Sequence, residues 1–395
     1  MNTAVEGERA RLPQPTIQSP RRVLLLLWAG VLRGAERHVF DLAVALPAHG
    51  YEPTICFFSR AESFGPGLRD AGIEFVELGN RSTKFDTRGF IRFANLLRHG
   101  KFDLVHDHGV ALWARPAVRM VAPGVPLVYT EHITRFTLLR RIAYKLLNPF
   151  TSAHVAVSAA ARDALIAQLG VATHDITVIP NSVNPERFIV LDDASRRDVR
   201  ATLGLPVDSV ILVSVGRLTA AKQFDQLVHW LDPVLRGRPD AHLAIVGDGE
   251  EREALVEQIA SSGLQRQVHL LGSRMDIPVI LAASDLFVFA SREESFGIAI
   301  AEAMLAAKPV VALRIAGVEE VVDEDITGVL VDRDRATNGF AAAVNGLLDD
   351  LPRRAAFGAQ GRARALATFG PGLMVSRLVE VYDSLLANDA PQRRR

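Results

Sequence analysis

Cysteine is almost absent from the chain, with Cys56 the only one in 395 residues. No internal disulfide can form, which favours a reducing, cytoplasmic setting over secretion. Net charge is absent too: 45 Lys and Arg balance 45 Asp and Glu. That removes the polycation expected of a nucleic-acid binder. Long apolar runs are also missing. The longest near the start, Val23–Leu32, has ten residues, too few to span a bilayer as a helix. Arg21 and Arg22 before it imitate a secretory signal, but about twenty residues precede it and no small-x-small cleavage site follows. It reads as a buried first strand. The dinucleotide fingerprint is lacking as well: in "VGDGEE" the glycines Gly247 and Gly249 are followed by Arg252 where a third glycine belongs, which argues against NAD.

What is present is a long alternation of short apolar runs with longer amphipathic stretches. The runs are Val23–Trp28, Thr54–Phe58, Phe75–Glu77, Leu104–Val105, Leu127–Thr130, His154–Val157 and Thr177–Ile179, then Val210–Val215, His242–Val246, Val268–Leu271, Leu286–Phe289, Val310–Ala312 and Gly328–Val331. Runs this short and continuously apolar predict parallel strands covered on both faces. Right-handed crossovers then give doubly wound α/β sheets. Thirteen strands exceed one open sheet of this kind, so two Rossmann-like domains are expected. Residues 1–20 and the closing "NDAPQRRR" read as disordered tails. The first domain is placed at 21–185, a linker at about 184–196, the second domain at 195–368. A last helix over 371–388 follows the chain-redirecting Gly370-Pro371-Gly372 and packs back on the first domain. Facing domains of this type form a cleft at the carboxyl ends of their strands.

Chemistry-bearing residues cluster after those strands. "SREESFGIAIAEAM" places Glu294 and Glu302 eight residues apart around an apolar, small-residue run. If the segment were fully helical, the two carboxylates would lie about 12 Å apart along one side. Ser295 and Gly297 suit a helix start, whose free N–H groups accept phosphate. The alternative is an amphipathic helix with solvated glutamates. Arg217 and Lys222 follow the run Val210–Val215 and could clamp a diphosphate, or be solvated loop charges. His106 and His108 in "FDLVHDHGV" fall on one side of a strand end, with no further spacing that suggests a zinc site. His132 in "YTEH" ends another strand, either facing a ligand or filling the strand end. Gly34 follows the first strand and can bring backbone N–H groups to a ligand. Asp323-Glu324-Asp325 and Asp332-Arg333-Asp334 imitate metal motifs but read as solvated surface. Over Arg135–Phe150, the residues Phe136, Leu139, Ile142, Ala143, Leu146, Leu147 and Phe150 keep helical spacing beside Arg135, Arg140, Arg141 and Lys145. Such a helix either packs on its own sheet or lies on an anionic membrane surface.

"ESFGIAIAEAM" with "AAKPVVA", together with "RGAERHVFDLA", "DLVHDHG", "YTEH", "VIPNSVN", "VGRLTAAKQFDQLV", "AIVGDGEE", "VHLLGSRMDIP" and "AGVEEVVDEDITGVLV", resembles the retaining GT-B glycosyltransferases of family 4 over about residues 22–388. The resemblance implies a metal-independent transferase with a nucleotide-sugar co-substrate and no other cofactor. It implies Arg217 and Lys222 on the diphosphate, Glu302 on the ribose and Glu294 on the donor sugar. Ser295, Phe296, Gly297 and Ile298 would line the donor, with Gly297 and Ile298 offering N–H groups. Gly247 would line the nucleotide pocket, Arg274 would neighbour the base, His108 the reacting centre and His132 the acceptor. Three positions depart from the family pattern: Arg33 stands where a glycine is usual and either clashes or adds a cation to the acceptor side, and Ser182 and Asn184 replace the usual Gly and Asp. A UDP-sugar is favoured over a GDP-sugar, and a bacterial surface polysaccharide or glycolipid acceptor is expected, met at the inner face of the plasma membrane. The rival readings are a nucleotide-sugar epimerase of the same fold and a two-domain sugar-binding protein.

Overall fold

Seven of the apolar runs align as one parallel sheet and six as another in the computed structural model, which describes residues 19–30, 34–82, 85–132 and 134–389. The first sheet holds β1 (Arg21–Leu27), β2 (Tyr51–Phe57), β3 (Glu74–Glu77), β4 (Leu104–Asp107), β5 (Leu127–Glu131), β6 (Ala153–Ala156) and β7 (Ile176–Val178), in the order β3-β2-β1-β4-β5-β6-β7. The second holds β8 (Val210–Val215), β9 (Ala241–Val246), β10 (Val268–Gly272), β11 (Leu286–Phe289), β12 (Val310–Leu313) and β13 (Gly328–Val331), in the order β10-β9-β8-β11-β12-β13. Both are doubly wound. Arg33 and all but two residues of the expected amino-terminal tail lie outside the described residues, as do the last six of the chain.

Strand limits follow backbone pairing more than side-chain character. β1 begins at Arg21, opposite Tyr51, two residues before the apolar run. β4 runs on through His106 and Asp107, which pair with Val128 and Tyr129. Ladder hydrogen bonds are made by N–H and C=O, so a polar side chain does not end a strand.

The connection between the sheets, residues 179–209, is partly apolar. Val183 donates its N–H to the carbonyl of Phe369 at 2.9 Å, and Phe296 meets the Phe369 ring edge-on at 5.2 Å. A helix over Asp193–Thr202 then ties to the second domain, with Arg200 bound to the Ala283 carbonyl at 2.8 Å and to Asp285 at 2.7 Å. The last helix, Pro371–Asp389, crosses back and buries Met374, Val375, Leu378 and Tyr382 in the core around β1 and β2.

The basic segment differs from the expected single helix. The helix covers Leu138–Leu147 and gives way to a 3-10 turn at Asn148–Phe150, where Pro149 tightens the chain. Its buried side is Tyr144 and Leu147, while Leu139, Ile142 and Leu146 are exposed. Tyr144 takes the inner side because its hydroxyl is 3.3 Å from that of Tyr129 and Arg115 lies 4.7 Å over its ring. A buried tyrosine needs such polar company.

Tyr382 fixes the returning helix: its hydroxyl is 2.5 Å from His106 Nδ1 and its ring lies 5.5 Å from Tyr51. Tyr382→Ala should lower unfolding free energy by about 3–5 kcal/mol and Tyr382→Phe by about 1 kcal/mol, read by urea denaturation. Equal, negligible losses would show that the helix is not part of the cooperative fold.

Candidate active site

Strand order reverses between β1 and β4 in one sheet and between β8 and β11 in the other. Crevices open at such points beyond the carboxyl ends of the strands. The loops there carry Gly34 after β1, His108 after β4, Arg217 and Lys222 after β8, and Glu294 after β11. The two crevices face one another across a cleft of about 850 Å³.

In the second domain the Lys222 ammonium is in hydrogen-bonded contact with the Glu294 carboxylate and sits 5.2 Å over the Phe289 ring. Arg217 is exposed and held by Glu250 at 3.2 Å. The helix after β11 begins only at Ile298, because Gly297 is its N-cap with φ +92°, a left-handed conformation glycine tolerates. Glu294 therefore stands in the loop before that helix, and the fully helical spacing expected of Glu294 and Glu302 does not occur. Both carboxylates still line the cleft, as do Ser295, Phe296, Gly297 and Ile298. Ser295 does not cap the helix. Its hydroxyl donates to the carbonyl of His132 in the other domain at 2.6 Å. Gly247, at φ +144°, passes so close to the β8 loop that a Cβ would lie 1.8 Å from the Gly216 carbonyl oxygen. Arg274, also on the cleft wall, is clasped by Asp276 at 2.6 and 2.8 Å.

Glu302 is the most perturbed acid of the cleft. Burial raises its carboxyl to about 7, against the pull of Arg187 and Arg37. Arg187, from the segment between the domains, is 4.0 Å away. Arg37 in the first helix, Gly34–Ala45, pairs with Asp41 at 3.2 Å, and burial pushes Asp41 upward as well. These four charges line the cleft together.

Behind that wall lies a layer of histidines. His108 Nδ1 is 3.5 Å from His132 Nε2, and His38 stacks edge-on to both rings at 6.1 and 5.9 Å. Burial lowers His38 to about 3 and His132 to about 4, and holds His108 and His106 well below the ordinary range, so all four are neutral near pH 7. His106 is a core residue bridging Thr130 and Tyr382 at 2.6 and 2.5 Å. The fold brings His108 and His132 together, but only His132 reaches the cleft surface. The acidic triplets are tied to arginines: Asp323 to Arg364, Glu324 and Asp332 to Arg314, Asp325 to Arg353.

Arg37, His38, Asp41 and Arg187 went unnoticed in the sequence. The first three occupy consecutive turns of one helix that starts at the first switch point, which is the signal that could have found them.

Two family descriptions divide the chain: Glycosyltransferase Family 4 matches residues 32–187 and Glycosyl transferases group 1 matches residues 195–364. D-inositol 3-phosphate glycosyltransferase of Salinispora arenicola is 31% identical, with 99% of this chain and 97% of that protein aligned. UDP-Gal:alpha-D-GlcNAc-diphosphoundecaprenol alpha-1,3-galactosyltransferase of Escherichia coli is 31% identical over 62% of this chain and 67% of its own. The crystal structure of Anabaena Alr3699/HepE in complex with UDP and glucose superimposes with a TM-score of 0.81 at 27% identity, covering 92% of this chain and 99% of that one.

A carboxyl held near 7 against an ordinary 4.5 binds a proton in the folded state that it releases on unfolding. Its ionisation therefore costs stability as pH rises from about 4.5 to 7. Glu302→Gln should stabilise the protein by on the order of 2 kcal/mol at pH 8, and the gain should fade as pH drops towards 4.5. Thermal melts at a series of pH values check this, and a pH-independent difference contradicts it.

Proposed function

The chain belongs to the family 4 glycosyltransferases of the GT-B fold, and from that premise we propose that it moves a sugar from a nucleoside diphosphate donor to an acceptor hydroxyl with retention of configuration. The observation that carries this reading is the convergence of Lys222, Glu294, the amino end of the Ile298–Leu305 helix and Glu302 on one cleft.

As the bond from the anomeric carbon to the phosphate oxygen breaks, negative charge grows on the leaving diphosphate. Lys222, Arg217 and the N–H groups of Gly297 and Ile298 stabilise that charge, so a metal ion is not required for it. Before the donor enters, Lys222 is neutralised by Glu294. The diphosphate takes over the ammonium, and Glu294 turns to the hydroxyls of the donor sugar. Glu302 accepts hydrogen bonds from the ribose, and the loop of Arg274 borders the base. No protein carboxylate is assigned as a nucleophile. The acceptor hydroxyl attacks on the face the diphosphate leaves and passes its proton to the departing phosphate oxygen. His132, neutral, borders the reacting side and can donate or accept hydrogen bonds without adding charge, and His108 stands behind it at 3.5 Å.

A uridine diphosphate sugar is the favoured donor, because the Anabaena structure binds UDP with glucose and the Escherichia coli relative's name specifies UDP-Gal. A lipid-linked or glycolipid acceptor of the cell surface is favoured on the same relative, whose name specifies a diphosphoundecaprenol-linked sugar.

Lys222→Ala should lower turnover by about 10²–10³-fold, measured by release of nucleoside diphosphate in a screen of UDP- and GDP-sugars with lipid-linked acceptors. Near-normal turnover would contradict the role given to Lys222. Conversion of donor in acceptor-free buffer would point to an epimerase, and binding of free sugar without release of nucleoside diphosphate would point to a binding protein.

A further inference from the structure

The first sheet has a second hollow at its other end. A cavity of about 660 Å³ lies at the amino ends of β6 and β7, whereas the cleft opens beyond the carboxyl ends of the strands. Two irregular turns shape it. Pro149 tightens the 3-10 turn Asn148–Phe150 before β6, and the chain approaching β7 passes through a π turn, Leu165–Leu169, ended by Gly170 at φ +69°. Asn148 Nδ2 donates to the Leu169 carbonyl at 3.1 Å and ties the two turns together. A space of this size accommodates a small organic molecule, far more than one water.

The walls of this cavity carry polar atoms with nothing to bond. Asn148 Oδ1, Thr151 Oγ1 and His154 Nδ1 are buried and have no hydrogen-bond partner among the described residues. His154 is only 4% exposed, and its ring lies edge-on to Tyr129 at 6.0 Å. Burial, helped by the nearby Arg115, lowers it to about 4, so it is neutral near pH 7. Ser152 beside them shows the ordinary case: its hydroxyl accepts from the Leu127 N–H at 3.1 Å and from Arg119 at 3.4 Å. Native folds leave few buried polar atoms unpaired. The same signature marks the cleft wall, where Arg37, His132, Asn181 and Ser182 each keep a buried atom without a partner.

The chemistry of the walls selects the ligand. Asn148 Oδ1 can only accept, while the Thr151 hydroxyl and a neutral His154 can donate or accept. Lys145 and Asp175, both exposed, add one charge of each sign to the lining. A phosphate would meet Lys145, but it would also face the Asp175 carboxylate and the Asn148 oxygen with no protons to offer them. Adjacent hydroxyl groups donate and accept at neighbouring atoms, and so suit both kinds of wall atom. Pro149 and Val171 add apolar surface for the C–H face of a ring.

We propose that this cavity binds a neutral polyhydroxylated ring, of the sugar or cyclitol class, through hydrogen bonds from its hydroxyls to Asn148, Thr151 and His154. The site is distinct from the cleft, and it stands whether or not the transferase reading does.

The test is saturation-transfer difference NMR of the full chain, titrated in turn with glucose, galactose, N-acetylglucosamine, maltose and myo-inositol, and with inorganic phosphate followed by calorimetry. Two variants accompany it. Thr151→Val/His154→Phe nearly keeps the shape of both side chains and removes their polar atoms, and Ala172→Trp fills the cavity from an exposed position of its lining. At least one of the five polyols should bind the unaltered chain, and each variant should weaken that binding at least about tenfold. The double variant should melt no lower than the unaltered chain, because it removes buried polar atoms that lack partners. UDP binding, which reports the cleft, should be unchanged in both variants. Binding of none of the five, or binding that both variants leave intact, overturns the proposal. So does phosphate binding that Thr151→Val/His154→Phe abolishes, because the cavity would then be an anion site.

Discussion

The ion pair between Lys222 and Glu294 is the interaction on which the site depends. It places a partly buried ammonium and carboxylate beside the amino end of a helix. A partly buried pair loses much of its worth once one partner is removed, since the survivor is left desolvated and alone. A ligand that brings its own negative charge can replace the carboxylate, and one that also carries hydroxyls can occupy the carboxylate released. Few ligand classes offer both at adjacent atoms. A sugar joined to a diphosphate does.

The two halves are held across the cleft by contacts of similar economy. The Glu320 carboxylate of the second domain accepts the N–H groups of Ala159 and Ala160 at 2.7 and 2.9 Å, at the start of a short helix in the first. Ser295 reaches the His132 carbonyl, and Arg187 stands between Glu302 and the pair Arg37–Asp41. Beside these polar contacts one buried apolar cluster runs from Ala156, Ala161 and Leu165 of the first domain to Phe296, Val318 and Val321 of the second. The charges that line the ligand space, Arg37 and Asp41 of the first domain, Arg187 between the domains and Glu302 of the second, thus also face one another across the two halves.

Much of this was legible in the sequence, for a physical reason. Strands buried on both faces must be short and continuously apolar, so Val210–Val215, Leu286–Phe289 and Gly328–Val331 were delimited to the residue. Strands carrying polar residues were not: β4 was cut short at His106 and Asp107 because apolarity cannot see a backbone ladder. Lys222, Glu294, Gly297 and Glu302 were singled out because unusual residue types stood past strands, and all four line the cleft. Gly297 was foreseen at the helix start, but its left-handed φ was not, since that is a property of the loop's path. Arg37, Asp41 and Arg187 escaped because each looks like an ordinary charge on an amphipathic element until the domains are brought together. The side of the Leu138–Leu147 helix that packs inward was left open in the sequence for a related reason. Its leucines outweigh Tyr144 on any hydrophobic reckoning, yet the tyrosine hydroxyl had the partners.

The most direct test of the central claim is a crystal structure of the protein with a uridine diphosphate sugar. The account predicts that Lys222 Nζ leaves Glu294 for a phosphate oxygen, that the N–H groups of Gly297 and Ile298 face the same diphosphate, and that Glu302 accepts the ribose hydroxyls. A nucleotide bound elsewhere, or bound in the cleft with the Lys222–Glu294 pair intact and no phosphate near Gly297, would contradict it.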